Sequence, residues 1–255
     1  MLRIVKYVLL DIIQNKILIG YTLFLFFVSI GLFNLSDDPT KGVIGLINVF
    51  LTVIPLVSIV FSTIHFYNSY EFIELLASQP VKRSLILWSQ FWGLVFAMLL
   101  SVLIGVGIPI IIFSPTAAGF SLFFSVLGLS LVFVSIALLA SVLTRDKAKG
   151  IGVVLLLWFF FALLYDAIVL FMMFALADYP LEKVMLLFVS INPIDLARVA
   201  VLLQLDISAL MGYTGAIFRE FLGTWWGIAY AFSILFAWAT IPMLIAIRVF
   251  RKKDL

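Results

Sequence analysis

The sequence predicts an all-α polytopic membrane protein. Its parts are six transmembrane helices, an N-terminal interfacial helix, a cytoplasmic coupling helix between spans two and three, and an external cap between spans five and six. Three observations predict it. Hydrophobic residues fill 65% of the 255 positions and charged residues 11%. Soluble chains carry about 25% charged residues, so this composition cannot clothe a water-facing surface. Six apolar runs each hold about 19 or more residues, enough to cross a hydrocarbon core of about 30 Å. The cations also alternate between the two sides: of sixteen Lys and Arg, only Lys41, Lys183, Arg198 and Arg219 lie opposite the termini. By the positive-inside rule both termini are cytoplasmic, in a bacterial inner membrane. We read residues 1–255 as a single transmembrane domain.

In chain order, residues 1–15 place Ile4, Val5, Val8, Leu9 and Ile12 at helical spacing, with Arg3, Lys6, Gln14 and Asn15 mostly elsewhere. This reads as an amphipathic helix in the membrane interface; its alternative is an extension of the first span. No small-residue cleavage site follows it, so it does not read as a signal peptide. Span one covers about 17–35 and span two about 42–65. Pro55 is expected to kink span two, with neighbouring helices satisfying the freed carbonyl.

The segment Tyr70–Gln90 interrupts the apolar text with a pattern of its own. Glu71 and Glu74 share a helix face, and Leu75 and Leu76 lie opposite. Gln79-Pro80 stops that helix, because the residue before proline is pushed out of the α region. Lys82 and Arg83 follow, with Ser84 placed to cap a helix from Leu85. A short amphipathic helix, a break and two cations form an elbow that a soluble partner can push; the alternative is an ordinary charged loop.

Span three covers about 85–113, with Gly105, Gly107 and Pro109 loosening its outer half. Span four covers about 120–143, and its Ser121, Ser125 and Gly128 suit close helix packing. A basic turn, Arg145 to Lys149, leads to span five at about 151–175. Span six covers about 225–249, opened by a Trp225-Trp226 interfacial anchor and followed by Arg251, Lys252 and Lys253.

Residues 178–223 are long, external and still rich in apolar side chains. Asn192-Pro193-Ile194-Asp195 is a strong helix start, with Asn as cap, Pro at the first position and an acid in the first turn. A helix from Pro193 to about Leu205 places Asp195 and Arg198 within pairing reach. Asp206 is placed to cap a second short helix ending near Met211-Gly212-Tyr213. These pieces read as re-entrant or surface helices forming a cap; the alternative is a loop resting on lipid headgroups.

Much chemistry is absent from the text. There is no Cys, no P-loop motif and no H-E-x-x-H, and His65 is the only histidine. Disulfides, thiolate metal sites, ATP binding through a P-loop and a zinc-protease site are thereby excluded. A formal charge of +3 gives no argument for nucleic acid; the chain's bulk solvent is membrane lipid. Asp166 is the one acid inside a predicted span, where an ionisable group is costly and functional by default. It either lines a cavity, pairs with Arg198 or Arg219, or reaches interfacial water. Met172, Met173, Met185 and Met211 cluster externally. Thioethers suit Cu(I), and methionine is equally common filler in apolar helices; the four are weak metal candidates.

The order of these parts, with the stretch Glu71–Ser84, resembles the permease subunits of ABC-2-type transporters. The first coupling helix of that family carries an acid, a run of Leu, then Pro with a basic residue and Ser. The resemblance implies that Glu71, Glu74, Leu75, Leu76, Pro80, Lys82 and Arg83 couple the chain to a cytoplasmic ABC ATPase. In the external segment, Asn192–Arg198, Leu202–Asp206 and Ser208–Ala216 resemble the NosY family. That narrower resemblance implies a homodimer with a NosF-like ATPase below and a periplasmic NosD-like protein above. The complex serves copper or sulfur delivery in nitrous oxide reductase maturation. Asp166, Asp195, Arg198, Met211 and Tyr213 are then candidates for the pathway or the partner-facing surface. The chain is non-catalytic on this reading and binds no cofactor itself, with ATP and Mg held by the partner. A conventional exporter of a lipid, drug or other solute, and an assembly factor without an ATPase, remain the competing readings.

Overall fold

A computed structural model describes residues 2–36, 38–144, 146–175, 182–205 and 225–252. Among them every regular element is helical. The interfacial helix α1 spans Leu2–Ile13, and Asn15 then breaks the chain and caps α2, its side chain accepting from Ile17 N at 2.9 Å. Helices α2 (Lys16–Leu35), α3 (Pro39–Asn68), α5 (Arg83–Phe113), α6 (Ala117–Leu143), α7 (Lys147–Ala175) and α10 (Trp225–Lys252) are the six spans, each long and apolar enough to cross a bilayer. The elbow helix is α4 (Tyr70–Ala77), and the cap contributes α8 (Glu182–Ile191) and α9 (Pro193–Leu202). Successive spans reverse direction. One end of the bundle, the elbow end, therefore carries α1, α4 and the last turn of α10; the other, the cap end, carries α8 and α9.

Helix starts follow side-chain caps. Asp38 accepts from Thr40 N at 2.9 Å ahead of Pro39, and that contact holds its carboxyl below the usual range. Thr116 accepts from Gly119 N, and Asp146 from Lys149 N. The start of α5 departs from expectation. It opens at Arg83 with Lys82 as the cap residue and no side-chain cap. The tight turn after Pro80, with Val81 N donating to Gln79 O at 2.6 Å, makes Lys82 O the first helical acceptor. Ser84 therefore lies inside the helix rather than capping it.

The helix α6 is the centre of the bundle, buried along most of its length and packed on α3, α5, α9 and α10. Without water to exclude, helices in lipid associate by close packing and hydrogen bonding, which favours small residues. On α6 the small residues divide their work. Ser125 is fully buried, Gly128 faces Leu235 of α10, and Ser121 Oγ donates to Ala200 O of the cap at 3.2 Å. Gly93 of α5 plays the same part for α1. A Cβ there would lie 2.4 Å from Val8 Cγ1, so the glycine is what admits α1, whose Val8 and Ile12 are buried.

Two spans widen locally into π turns, Leu103–Gly107 in α5 and Phe160–Leu164 in α7. Each leaves a carbonyl that a neighbouring side chain satisfies, as buried backbone in lipid requires. Pro109 has no N–H to give Gly105 O, four residues back; Ser29 Oγ of α2 donates to it instead, at 2.8 Å. In α7, Tyr165 N–H reaches back five residues to Phe160 O rather than four to Phe161 O.

Candidate functional site

The cap attaches at the freed carbonyl of α7. Asn192 caps α9 by accepting from Ile194 N at 3.0 Å. The two protons of its amide nitrogen go to Phe161 O at 2.9 Å and to Asp195 Oδ2 at 2.8 Å. The second oxygen of Asp195 accepts from Arg198 Nη1 at 2.8 Å, and the same nitrogen donates to Asp166 Oδ2 of α7 at 3.1 Å. Tyr165 adds a further bond from α7, its hydroxyl donating to Phe188 O of α8 at 2.6 Å. Asp166, Asp195 and Arg198, which the sequence relates only two at a time, thus form one chain of charge-assisted bonds between span five and the cap. Two carboxylates share one guanidinium. Asp195 is the more enclosed of the pair, and its carboxyl is pushed up to about 7, chiefly by burial and then by the charge of Asp166.

Beneath this clasp α9 is seated, not perched. Ile194, Leu196, Ala197 and Val201 are buried against the bundle. Of the candidate methionines, Met173 packs against Val199 and Leu203, which accounts for it as apolar filler. Met172 is half-buried, and the side chain of Met185 and the whole of Met211 and Tyr213 lie outside the described residues. Among the described residues no group of three His, Cys, Asp or Glu side chains stands ready to hold a metal.

At the opposite end, α4 buries Ile73 completely, and Leu76 and Ala77 pack on the core beside it. The paired leucines of the sequence reading therefore divide: Leu76 faces inward and Leu75 is 65% exposed. The outward face shows Glu71, Phe72, Glu74 and Leu75, followed by exposed Pro80 and Lys82. The exposed surface there is an acidic pair beside an apolar side chain, with a cation after the break. Ser78 closes the helix, its hydroxyl donating to Leu75 O at 2.8 Å.

Three working parts escaped the sequence reading. One is α8, hidden because residues 184–191 are apolar apart from Ser190 and hold too few polar side chains to mark a helical face. Another is the Asn192–Phe161 bond, which needs a π turn that no sequence signal marks. The last is the Ser29–Gly105 bond, for which Pro109 four residues after Gly105 was the available sign.

The family model for the ABC-2 family transporter protein matches residues 45–255, and the chain belongs to that family. No curated protein matches the chain. It is a permease subunit of an ABC transporter, of a kind that is typically non-catalytic and works with a partner ATPase subunit.

Proposed function

We propose that the chain relays ATP-driven motion from a cytoplasmic NosF-like ATPase to a NosD-like periplasmic protein, as a homodimer in the bacterial inner membrane with both termini inside. The output is copper or sulfur delivery for nitrous oxide reductase maturation. The observation that carries this reading is the clasp of Arg198 between Asp166 of span five and Asp195 of the cap. A cap locked to a span by ion pairs moves with that span. In this reading Glu71, Glu74 and Leu75 meet the ATPase, which alone holds ATP and Mg. The spans carry the displacement outward, and the cap changes its grip on the external partner. Turnover drives such a change only if nucleotide states bind the two arrangements differently.

A second reading is export of a lipid-like solute, and one feature favours it. A largely apolar groove of about 820 Å³ opens between α5, α6 and α10, with Leu99, Phe124 and Phe232 in its walls and Ser121 and Gln204 as its polar lining. Purification of the chain from native membranes in mild detergent, with partners identified, tests both. An ATPase and a periplasmic protein together, with the ATPase lost from Glu74→Arg, is the expected result. An ATPase alone moves the assignment to an exporter. Absence of an ATPase under every condition removes both.

A further inference from the structure

At the elbow end a cavity of about 360 Å³ opens between α1, the α3–α4 joint and α5. Its floor is Gln90, only 1% exposed, whose amide oxygen and nitrogen have no partner in hydrogen-bonding geometry; the polar group beside them is the His65 ring. A buried amide without a well-formed bond costs about 1–3 kcal/mol, so this one is open to a ligand. His65 is nearly as buried. Besides Gln90, its ring nitrogens meet Ser69 Oγ at 3.4 Å and Asp11 Oδ2 at 3.9 Å.

The walls say what that ligand is. Among the described residues, Asp11 of α1 is the one carboxylate lining the cavity, and no described Lys or Arg side chain joins it. Tyr7 of α1 and Phe72 of α4 add two exposed aromatic rings, which attract cations by their faces. A carboxylate, two rings and a buried amide select an ammonium group that has protons to donate. A cation stands just outside the wall: Lys147 Nζ of α7 donates to Asn68 Oδ1 at 2.8 Å, and Asn68 lines the cavity. Anionic and cationic partners around one recess match a zwitterion. The recess also lies where α1 meets the elbow end of the spans.

We propose that this cavity binds the headgroup of a phospholipid with a primary ammonium, of the ethanolamine class. The ammonium sits on Asp11 and the Gln90 carbonyl, and the phosphate lies toward Lys147. A choline headgroup has no N–H to donate, and a glycerol headgroup brings no positive charge. Ser69, at the joint between α3 and the elbow, borders the bound headgroup.

The test is lipid retention by the purified full-length chain in native mass spectrometry. Equal amounts of phosphatidylethanolamine, phosphatidylcholine and phosphatidylglycerol with identical acyl chains are supplied. Wild type is expected to retain the ethanolamine lipid about tenfold over the other two, the worth of one good charge-assisted bond. Asp11→Asn, at a side chain 76% exposed and so harmless to folding, is expected to remove that preference. Gln90→Leu is expected to weaken it while leaving the lipid-free chain folded, because the polar group beside the lost amide is the His65 ring. Equal retention of the three lipids by wild type, or a preference that survives in Asp11→Asn, overturns the proposal. Displacement of the lipid by an equal concentration of free ethanolamine would overturn the lipid as the source of the ammonium.

Discussion

Arg198 Nη1 stands 3.1 Å from Asp166 Oδ2 and 2.8 Å from Asp195 Oδ1, so one guanidinium nitrogen ties span five to the cap. The two bonds are unequal in consequence. Removing Asp166 leaves Arg198 with Asp195, whereas removing Arg198 leaves two carboxylates facing each other. Asp166→Asn is therefore expected to cost about 0–1 kcal/mol, since both its side chain and that of Arg198 are about one-third exposed. Arg198→Ala is expected to cost about 1.5–3 kcal/mol. Hydrogen exchange of the α9 amides in detergent separates the two. Equal protection in both variants would show that the clasp does not hold the cap.

The same cluster gives the cap a pH dependence. The carboxyl of Asp195 ordinarily titrates near 3.8 and here titrates at about 7, because burial and the neighbouring Asp166 outweigh the help of Arg198 and Asn192. Between those values the folded cap binds a proton that the unfolded chain does not, so stability falls as pH rises. The contribution is fully present below about pH 4 and is lost as pH climbs through about 7. Asp166→Asn removes the like charge, so its transition is expected at lower pH. Protection of α9 followed from pH 5 to 8 checks the direction; protection that increases with pH contradicts it.

The parts that fill whole faces were legible in the sequence, and the parts that depend on one carbonyl were not. Each span is apolar along its length and needs no partner to announce itself. The elbow could be read because Glu71, Glu74 and Pro80 act through local rules. The Asp195–Arg198 pair could be read because i,i+3 spacing is local too. For Asp166 the sequence offers a cavity, interfacial water, Arg198 or Arg219 and gives no means of choosing, because Arg198 stands 32 positions away. The fate of Ser84 was misread because the turn at Gln79–Val81 supplies a backbone acceptor one residue ahead of Arg83, and backbone acceptors leave no trace in side-chain text.

The π turn of α5 makes a double-mutant prediction. Ser29→Ala leaves Gly105 O unbonded and buried, at a cost of about 1–3 kcal/mol. Pro109→Ala returns an N–H able to reach that carbonyl, so the cost of Ser29→Ala is expected to shrink toward zero in the Pro109→Ala background. Gly105→Ala adds a Cβ 2.5 Å from Leu25 Cβ and 3.2 Å from Thr22 O, and is expected to destabilise by about 1–3 kcal/mol through overpacking. Gly152→Ala, with open space around it, is the matched control and is expected to be tolerated. Thermal unfolding in detergent reads all five variants, the double among them. A Gly105→Ala protein as stable as Gly152→Ala would mean that α2 and α5 do not approach as closely as described.

Neighbouring positions on the elbow separate its folding from its docking. Ile73 is fully buried and Leu75 is 65% exposed, two residues apart on one short helix. Ile73→Asp puts a carboxylate where only apolar side chains surround it, and the expected result is loss of folded protein rather than a specific defect. Leu75→Asp changes a side chain that touches little of its own chain. The fold is expected to hold to within about 0.5 kcal/mol, as for most surface substitutions, while recovery of the ATPase partner drops with that of Glu74→Arg. The pair of outcomes matters more than either alone. A Leu75→Asp chain that keeps its ATPase would place the contact elsewhere on the elbow end, on the Lys82 side of the break. A chain that unfolds would mean that Leu75 is buried by a second subunit even before the ATPase arrives.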